Sequence, residues 1–220
     1  MMSRQFLTES LHSIMEISGY EYSDADFNHS HDYLNPTLVK ILEKYHSDKK
    51  FPIFDLGCGN GSTANFLSTH GYVVSGVDPS NEGVQLANLN FPSLEIELGH
   101  SGDNLFIRFG TFDLVYSLEV IEHVFDPFEF MQDIRTILNK GGYVVLSTPF
   151  HGYAKNLILS IFNLWDKHFT ALWKGGHIKF WSPNSLTQLL KESGFEVLEI
   201  RRLGRIPVLA KSMIVVAQKI

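Results

Sequence analysis

The stretch Phe54-Asp55-Leu56-Gly57-Cys58-Gly59-Asn60-Gly61 decides how the rest of the chain is read. It ends a short apolar run, Pro52 to Leu56, and opens onto a segment of helical character, Ser62 to His70. A strand that passes through glycines into a helix start is a binding device. Glycine lets the backbone turn sharply and approach a ligand, and the first helical turn offers unpaired N–H groups. Asp78 lies 21 residues beyond Gly57, at the end of the next apolar run, where a carboxylate can reach ribose hydroxyls. By itself the turn leaves several ligands open, and also a tight strand–helix turn with none.

The third glycine narrows the choice. A dinucleotide fingerprint wants Gly or Ala five positions after the first glycine, so that helix and strand close over a pyrophosphate. Here that position is Ser62, and the third glycine is Gly61. The pattern Asp55-x-Gly57-x-Gly59-x-Gly61 resembles motif I of the class I S-adenosylmethionine (AdoMet) methyltransferases, whose cofactor has no pyrophosphate.

Composition bounds the alternatives. At 220 residues the chain suits one domain with a sizeable core, and 44% hydrophobic content is ordinary for a globular protein. We therefore expect a single domain, residues 1–220, with 1–50 as an N-terminal helical cap and 150–181 as an aromatic lid. A formal charge of −6 argues against broad nucleic-acid binding. Arg201, Arg202 and Arg205 form one short basic cluster, read as a solvated strand end, with a phosphate-bearing substrate site as the minor alternative. Cys58 is the only cysteine, which excludes an intrachain disulfide and a cysteine metal cluster. It fills a turn position that needs a small residue and is given no nucleophilic role. Arg4, Glu9, His12 and Glu16 break up any signal-peptide core, and no run reaches the roughly 18 apolar residues of a membrane span. The default expectation is a cytoplasmic protein without a membrane span; a homodimer is allowed.

Along the chain, Phe6, Leu7, Leu11, Ile14 and Met15 fall at helical spacing, and a polar, aromatic stretch runs from Gly19 to His31. Asn35-Pro36 is expected to open a helix, with Asn as N-cap and Pro at the first position. Then an α/β alternation begins. Strands are expected at Pro52–Leu56, Tyr72–Val77, Leu94–Leu98, Phe112–Leu118 and Tyr143–Ser147, with helices at about Asn81–Leu89 and Pro127–Leu138. Asp126 caps the latter and Gly141 is its stop signal. A last helix opens at Ser182-Pro183 and ends at Gly194. Strands Glu196–Arg201 and Ser212–Ala217, separated by about ten residues, should pair antiparallel.

The fold class is therefore α/β, a doubly wound, seven-stranded, mostly parallel sheet ending in an antiparallel hairpin. That ensemble resembles the class I AdoMet methyltransferase fold over roughly residues 32–220. The resemblance rests on the glycine turn, Asp78-Pro79-Ser80, Phe112-Asp113-Leu114-Val115 and the Gly141-Gly142 turn. It implies that the backbone of Gly57, Cys58, Gly59 and Gly61 lines the methionine and ribose part of AdoMet. It implies too that Asp78, followed by Pro79, accepts both ribose hydroxyls, and that Asp55 orders the turn or bridges to the amino group through water. Leu118, ending strand four, would face the ribose and methionine. Family members often carry an acidic residue and then a small one after strand three to read adenine. The register here places His100 and Ser101 there, with Asp103 the alternative.

Glu119-Val120-Ile121-Glu122-His123-Val124 follows strand four at the mouth of this site. If helical, it puts Glu119, Glu122 and His123 on one face. The stretch is similar to the ubiquinone-biosynthesis O-methyltransferases and to the small-RNA terminal-ribose O-methyltransferases. In the latter, two Glu and a His join a distant His to bind a divalent ion. Here the resemblance makes Glu119, Glu122, His123 and His177 the metal candidates, with His151 in reserve. Such a set suits Mn²⁺ or Zn²⁺ better than Mg²⁺. The metal-free alternative makes His123 a general base with Glu122 beside it.

Between strand five and the last helix, Phe150 to Trp181 holds all three tryptophans: Trp165, Trp173 and Trp181. Leu157, Ile158, Ile161, Phe162 and Trp165 are expected to form a short amphipathic helix. The segment reads as a lid and acceptor pocket, or as an extra structural helix or dimer surface. The reading reached is an AdoMet-dependent methyltransferase acting on a hydroxyl oxygen of a small molecule. An NAD-dependent oxidoreductase and a non-catalytic cofactor-binding partner protein are the rivals.

Overall fold

The computed structural model describes residues 30–169, 171–173 and 175–220. The expected helix around Phe6–Met15, and the polar stretch as far as residue 29, lie outside the described residues.

Seven strands form one sheet: β1 (Ile53–Leu56), β2 (Val74–Asp78), β3 (Glu95–Leu98), β4 (Phe112–Leu118), β5 (Leu138–Pro149), β6 (Phe195–Leu203) and β7 (Ser212–Lys219). Their order is β3-β2-β1-β4-β5-β7-β6. Strands β1 to β5 pair in parallel, and β7 runs antiparallel to both β5 and β6. The order reverses between β1 and β4, which opens a crevice at the strands' carboxyl ends. Central strands β1 and β2 are buried at every position, as a sheet covered on both faces requires.

Two helical layers do the covering. On one face α5 (Pro127–Ile137) and α8 (Pro183–Glu192) press Phe130, Met131, Ile134, Leu186 and Leu190 onto Phe54, Val115 and Val144. On the other, α1 (His31–Tyr45), α2 (Ser62–Thr69) and α3 (Asn81–Asn90) bring Leu38, Ile41, Leu42, Leu67 and Ala87 onto Ile53, Tyr116 and Val145. Each fully buried Leu or Ile stabilises by about 1.5–3 kcal/mol. A short helix α4 (Leu105–Phe109) precedes β4.

Three local expectations are corrected. Helix α1 starts at His31, so Asn35 and Pro36 lie inside it and Asn35 is no cap. A tertiary contact overrides the local signal: the Asn35 side chain is buried and accepts a hydrogen bond from Thr63 Oγ1 on α2 (3.2 Å). Gly141 is not a helix stop, since α5 ends at Ile137 and the chain continues directly into β5. Gly141 has φ +75°, close to a register shift between β4 and β5 at Asp113. The segment after β5 splits into α6 (Tyr153–Ile161) and α7 (Trp165–Phe169), and Leu157, Ile158, Ile161, Phe162 and Trp165 are exposed.

Candidate active site

The glycine turn sits where β1 ends beside β2. Gly57 N–H and Cys58 N–H both donate to Val77 O (2.8 and 3.1 Å). Gly59 N–H donates to Asp78 Oδ2, and Ser80 N–H to Asp78 Oδ1, each at 2.8 Å. Asp78 thus ties two turns together and keeps lone pairs free for a ligand hydroxyl. Gly57 is needed twice over: its φ is +91°, and a Cβ there would lie 2.4 Å from Val120 Cγ2.

A cavity of about 700 Å³ opens over this turn. Asp55, Gly57, Cys58, Gly59, Asp78, Pro79, His100, Ser101 and Leu118 line one end, and Glu119, Glu122, His123, Trp173 and His177 the other. Gly61 does not line it. With φ +74° it precedes α2, and a Cβ there would meet Ala87 on α3 at 2.8 Å, so its role is helix packing. Asp103, the alternative adenine contact, also lies outside the lining. It accepts from Arg108 Nη1 and from the His100 N–H (both 3.1 Å).

Residues 119–124 form a turn, not the helix that a shared face would require, because Glu119 adopts φ +55° as it leaves β4. The shared helical face is therefore absent. The Glu119 carboxylate accepts from Ser147 Oγ (2.8 Å) and Ser212 Oγ (3.2 Å), and Ser212 also bonds the Tyr33 hydroxyl (3.1 Å). Glu122, His123 and His177 do come together, with ligand atoms within 4.8 Å of one another; Glu119 and His151 are not part of this group. His151 packs instead on Phe169 and Phe180.

The distant histidine reaches the site by backbone stitching. Glu122 O accepts from both Ile178 N–H and Lys179 N–H (2.9 Å each), and Trp181 Nε1 donates to Ile121 O (3.3 Å). The His123 and His177 rings stand edge to face with centroids 4.9 Å apart. The backbone at Gly175 and Gly176 faces the His123 ring and favours its protonated form, an effect smaller than that of burial.

Burial dominates the electrostatics. It pushes Asp55 up to about 8 and Glu119 up to about 7. Asp78 rises to about 6, held back by its two backbone N–H bonds. Glu122 goes well above the ordinary carboxylate range, first through burial and then through the nearby Glu119 charge. Neither Glu122 oxygen has a hydrogen-bond partner among the described residues. Desolvation lowers His123 and takes His177 to about 4, so both rings are neutral near pH 7.

A family model described as a methyltransferase domain matches residues 27–200. The chain belongs to the class I AdoMet-dependent methyltransferases. It is 30% identical over 174 residues to a ubiquinone biosynthesis O-methyltransferase of Dinoroseobacter shibae, covering 73% of this chain and 68% of that one. A protein of the same name from Coxiella burnetii is 28% identical over 175 residues, covering 76% and 73%. Magnesium protoporphyrin IX methyltransferase from Synechocystis PCC 6803, solved with bound SAH, superposes with a TM-score of 0.65 at 15% identity, covering 99% of this chain and 98% of that one. This methyltransferase membership sets aside the dinucleotide-oxidoreductase rival.

The cavity fits the cofactor: its volume lies in the range of about 300–1,000 Å³ usual for small-molecule sites, and acceptor-only Asp78 faces it. Two contributions escaped the sequence: the packing of Val120 on Gly57, and the Gly175–Gly176 backbone that faces His123. The Gly175-Gly176 pair directly before His177 was the available signal for the second.

Proposed function

We propose that this methyltransferase acts on a hydroxyl oxygen of a small, ring-bearing acceptor bound between the glycine turn and Trp173. The observation that carries the reading is Glu122, His123 and His177 gathered in the same cavity as Asp78. Bound AdoMet supplies a methyl on a sulfonium, an electrophile that already has a good leaving group. The chain's task is then positioning and proton handling. In this reading Asp78 holds the ribose, and the backbone of Gly57, Cys58 and Gly59 carries the methionine end. His100 and Ser101 border the adenine, and Pro79 and Leu118 close the edges. Neutral His123 would take the proton of the acceptor hydroxyl as that oxygen is methylated.

The orphaned Glu122 oxygens favour one elaboration. A carboxylate buried without partners beside two neutral imidazoles is a donor set for Mn²⁺ or Zn²⁺. Glu122, His123 and His177 would hold the ion, which supplies Lewis acidity toward the acceptor hydroxyl. Glu119 then buttresses the turn through Ser147 and Ser212.

Turnover with a panel of phenols and catechols, before and after exhaustive chelation, tests both levels. Loss on chelation, recovery with Mn²⁺ or Zn²⁺, and loss of calorimetric ion binding in Glu122→Ala and His177→Ala are expected. Full activity after chelation removes the ion and leaves His123 as the base. AdoMet binding without turnover on any hydroxyl acceptor sinks the O-methylation reading.

A further inference from the structure

Adenine carries an amino group that only donates, so a pocket that reads it needs an acceptor. The loop after β3 does not supply a charged one. Gly102 N–H donates to His100 Nδ1 (3.0 Å), which leaves the ring proton on Nε2 and no lone pair for a ligand. Nε2 in turn lies 3.6 Å from Asp103 Oδ1. The loop is clamped in this state. Asp103 Oδ2 accepts from the His100 N–H and from Arg108 Nη1 (3.1 Å each), and Arg108 Nη2 donates to Leu98 O (2.9 Å) and Glu97 Oε2 (2.6 Å). A Cβ on Gly102 would meet His100 Cε1 at 2.8 Å, so glycine makes room for the ring. Ser101 brings only a neutral hydroxyl to this end of the cavity.

A free carboxylate stands on α5 instead. Asp126-Pro127-Phe128-Glu129 has the spacing of a capping box, in which the Glu side chain bonds back to the N–H of the cap residue. Only half of the box forms. Asp126 Oδ1 accepts from Phe128 N–H (2.9 Å) and Glu129 N–H (3.1 Å), but the Glu129 carboxylate makes no hydrogen bond or ion pair among the described residues. Glu129 lines the cavity together with His100, Ser101 and Gly102. Asp133, one turn further along α5, interacts with both Glu129 and His100, which places those two residues at the same end. The first turn of a helix also favours a negative charge.

We propose that Glu129 accepts the adenine amino group of the cofactor, the part for which the loop after β3 carries His100 in place of an acid. The inference rests on adenine lying beside His100 and Ser101. The acceptor has thus moved from the end of the sheet to the first turn of α5, and it sets selectivity there. A carboxylate attracts the amino group of adenine and repels the carbonyl of a purine that carries oxygen at that position. His100 becomes a wall of the pocket whose polarity is fixed by Gly102, and Asp103 serves only to hold that wall.

Calorimetry on the full chain tests this, with S-adenosylhomocysteine and with its analogue in which hydrogen replaces the adenine amino group, read as a cycle. Glu129→Ala is expected to weaken S-adenosylhomocysteine about tenfold and to leave the analogue unchanged, so that the analogue also reports an intact fold and cavity. Glu129→Gln keeps a neutral acceptor and should lose less. Ser101→Phe, which fills that end of the cavity, should block both ligands while thermal unfolding stays cooperative. Undiminished S-adenosylhomocysteine binding by Glu129→Ala, or equal losses for both ligands, overturns the proposal while Ser101→Phe still blocks. Binding by a folded Ser101→Phe variant shows instead that adenine lies elsewhere, and overturns the placement and the proposal together. None of these outcomes depends on which hydroxyl acceptor is methylated.

Discussion

Asp78 and Glu122 are both buried carboxylates in one cavity, yet they are built differently. Asp78 closes β2 and receives a backbone N–H on each oxygen, one from each flanking turn. Glu122 sits in the turn after β4 with no partner on either oxygen among the described residues. The consequence is visible in their acidities: Asp78 is raised only to about 6, whereas Glu122 is driven well beyond that range. A carboxylate whose bonds are complete serves as a rigid acceptor; one whose bonds are missing waits for a cation or a donor. The cofactor end of the cavity is thus finished by the fold, and the acceptor end is completed by what binds.

Breaking the unfinished side should have the largest effect. Glu122→Gln is expected to reduce turnover by about 10²–10⁴-fold with little change in AdoMet affinity. Glu122→Met should be equally inactive but more stable, because it removes a buried polar group without partners, a gain of about 1–3 kcal/mol. Thermal unfolding checks this, at roughly 2–4 °C per kcal/mol for a chain of this size. An inactive but less stable Glu122→Met would show that the carboxyl is satisfied, and the contrast with Asp78 would collapse.

Breaking the finished side should act on binding. In Asp78→Asn one of the two carboxylate oxygens becomes an NH₂ that faces a backbone N–H, at either Gly59 or Ser80. AdoMet affinity is expected to fall about 10–100-fold by calorimetry, with a smaller effect on turnover at saturating cofactor. Unchanged affinity would mean that the ribose is held elsewhere.

The two ends also differed in how much of them could be read from sequence. The glycine turn is local: Asp55 to Gly61 and Asp78 carry their own backbone requirements, and strand order follows from alternating patterns. Strand β4 was legible to the residue because Leu114–Ser117, at the centre of Phe112–Leu118, is a run of four buried residues. The conformation of Glu119–His123 stays open in the sequence because nothing local announces a left-handed Glu119, which the Ser147 and Ser212 hydroxyls on two other strands accommodate. Asn35 misled for the same reason, since its partner Thr63 is distant in sequence. The exposed face of α6 had the right spacing and the wrong destination: periodicity finds an apolar stripe but not which way it points.

The smallest expected effect separates the two ends by pH. Burial raises Asp55 to about 8 and Glu119 to about 7, so the folded chain holds protons that the unfolded chain releases near pH 4. Stability from such groups is lost as pH rises from the ordinary carboxylate range through the folded-state value. The buried histidines act oppositely: His151 and His177, lowered to about 4, add stability as pH rises toward about 6.5 and nothing beyond it. Above that point the carboxylates act alone, and apo-protein stability should fall by about 2 kcal/mol between pH 6.5 and 8 from Asp55 and Glu119, with the still higher Glu122 adding to the loss. Asp55→Asn, on the cofactor side, should remove more of that slope than Glu119→Gln, because its folded-state value lies higher. Denaturant titrations across this window measure both slopes. A flat profile in wild-type protein would place compensating charge beside Asp55, and an equal contribution from both variants would make the two ends of the cavity electrostatically alike.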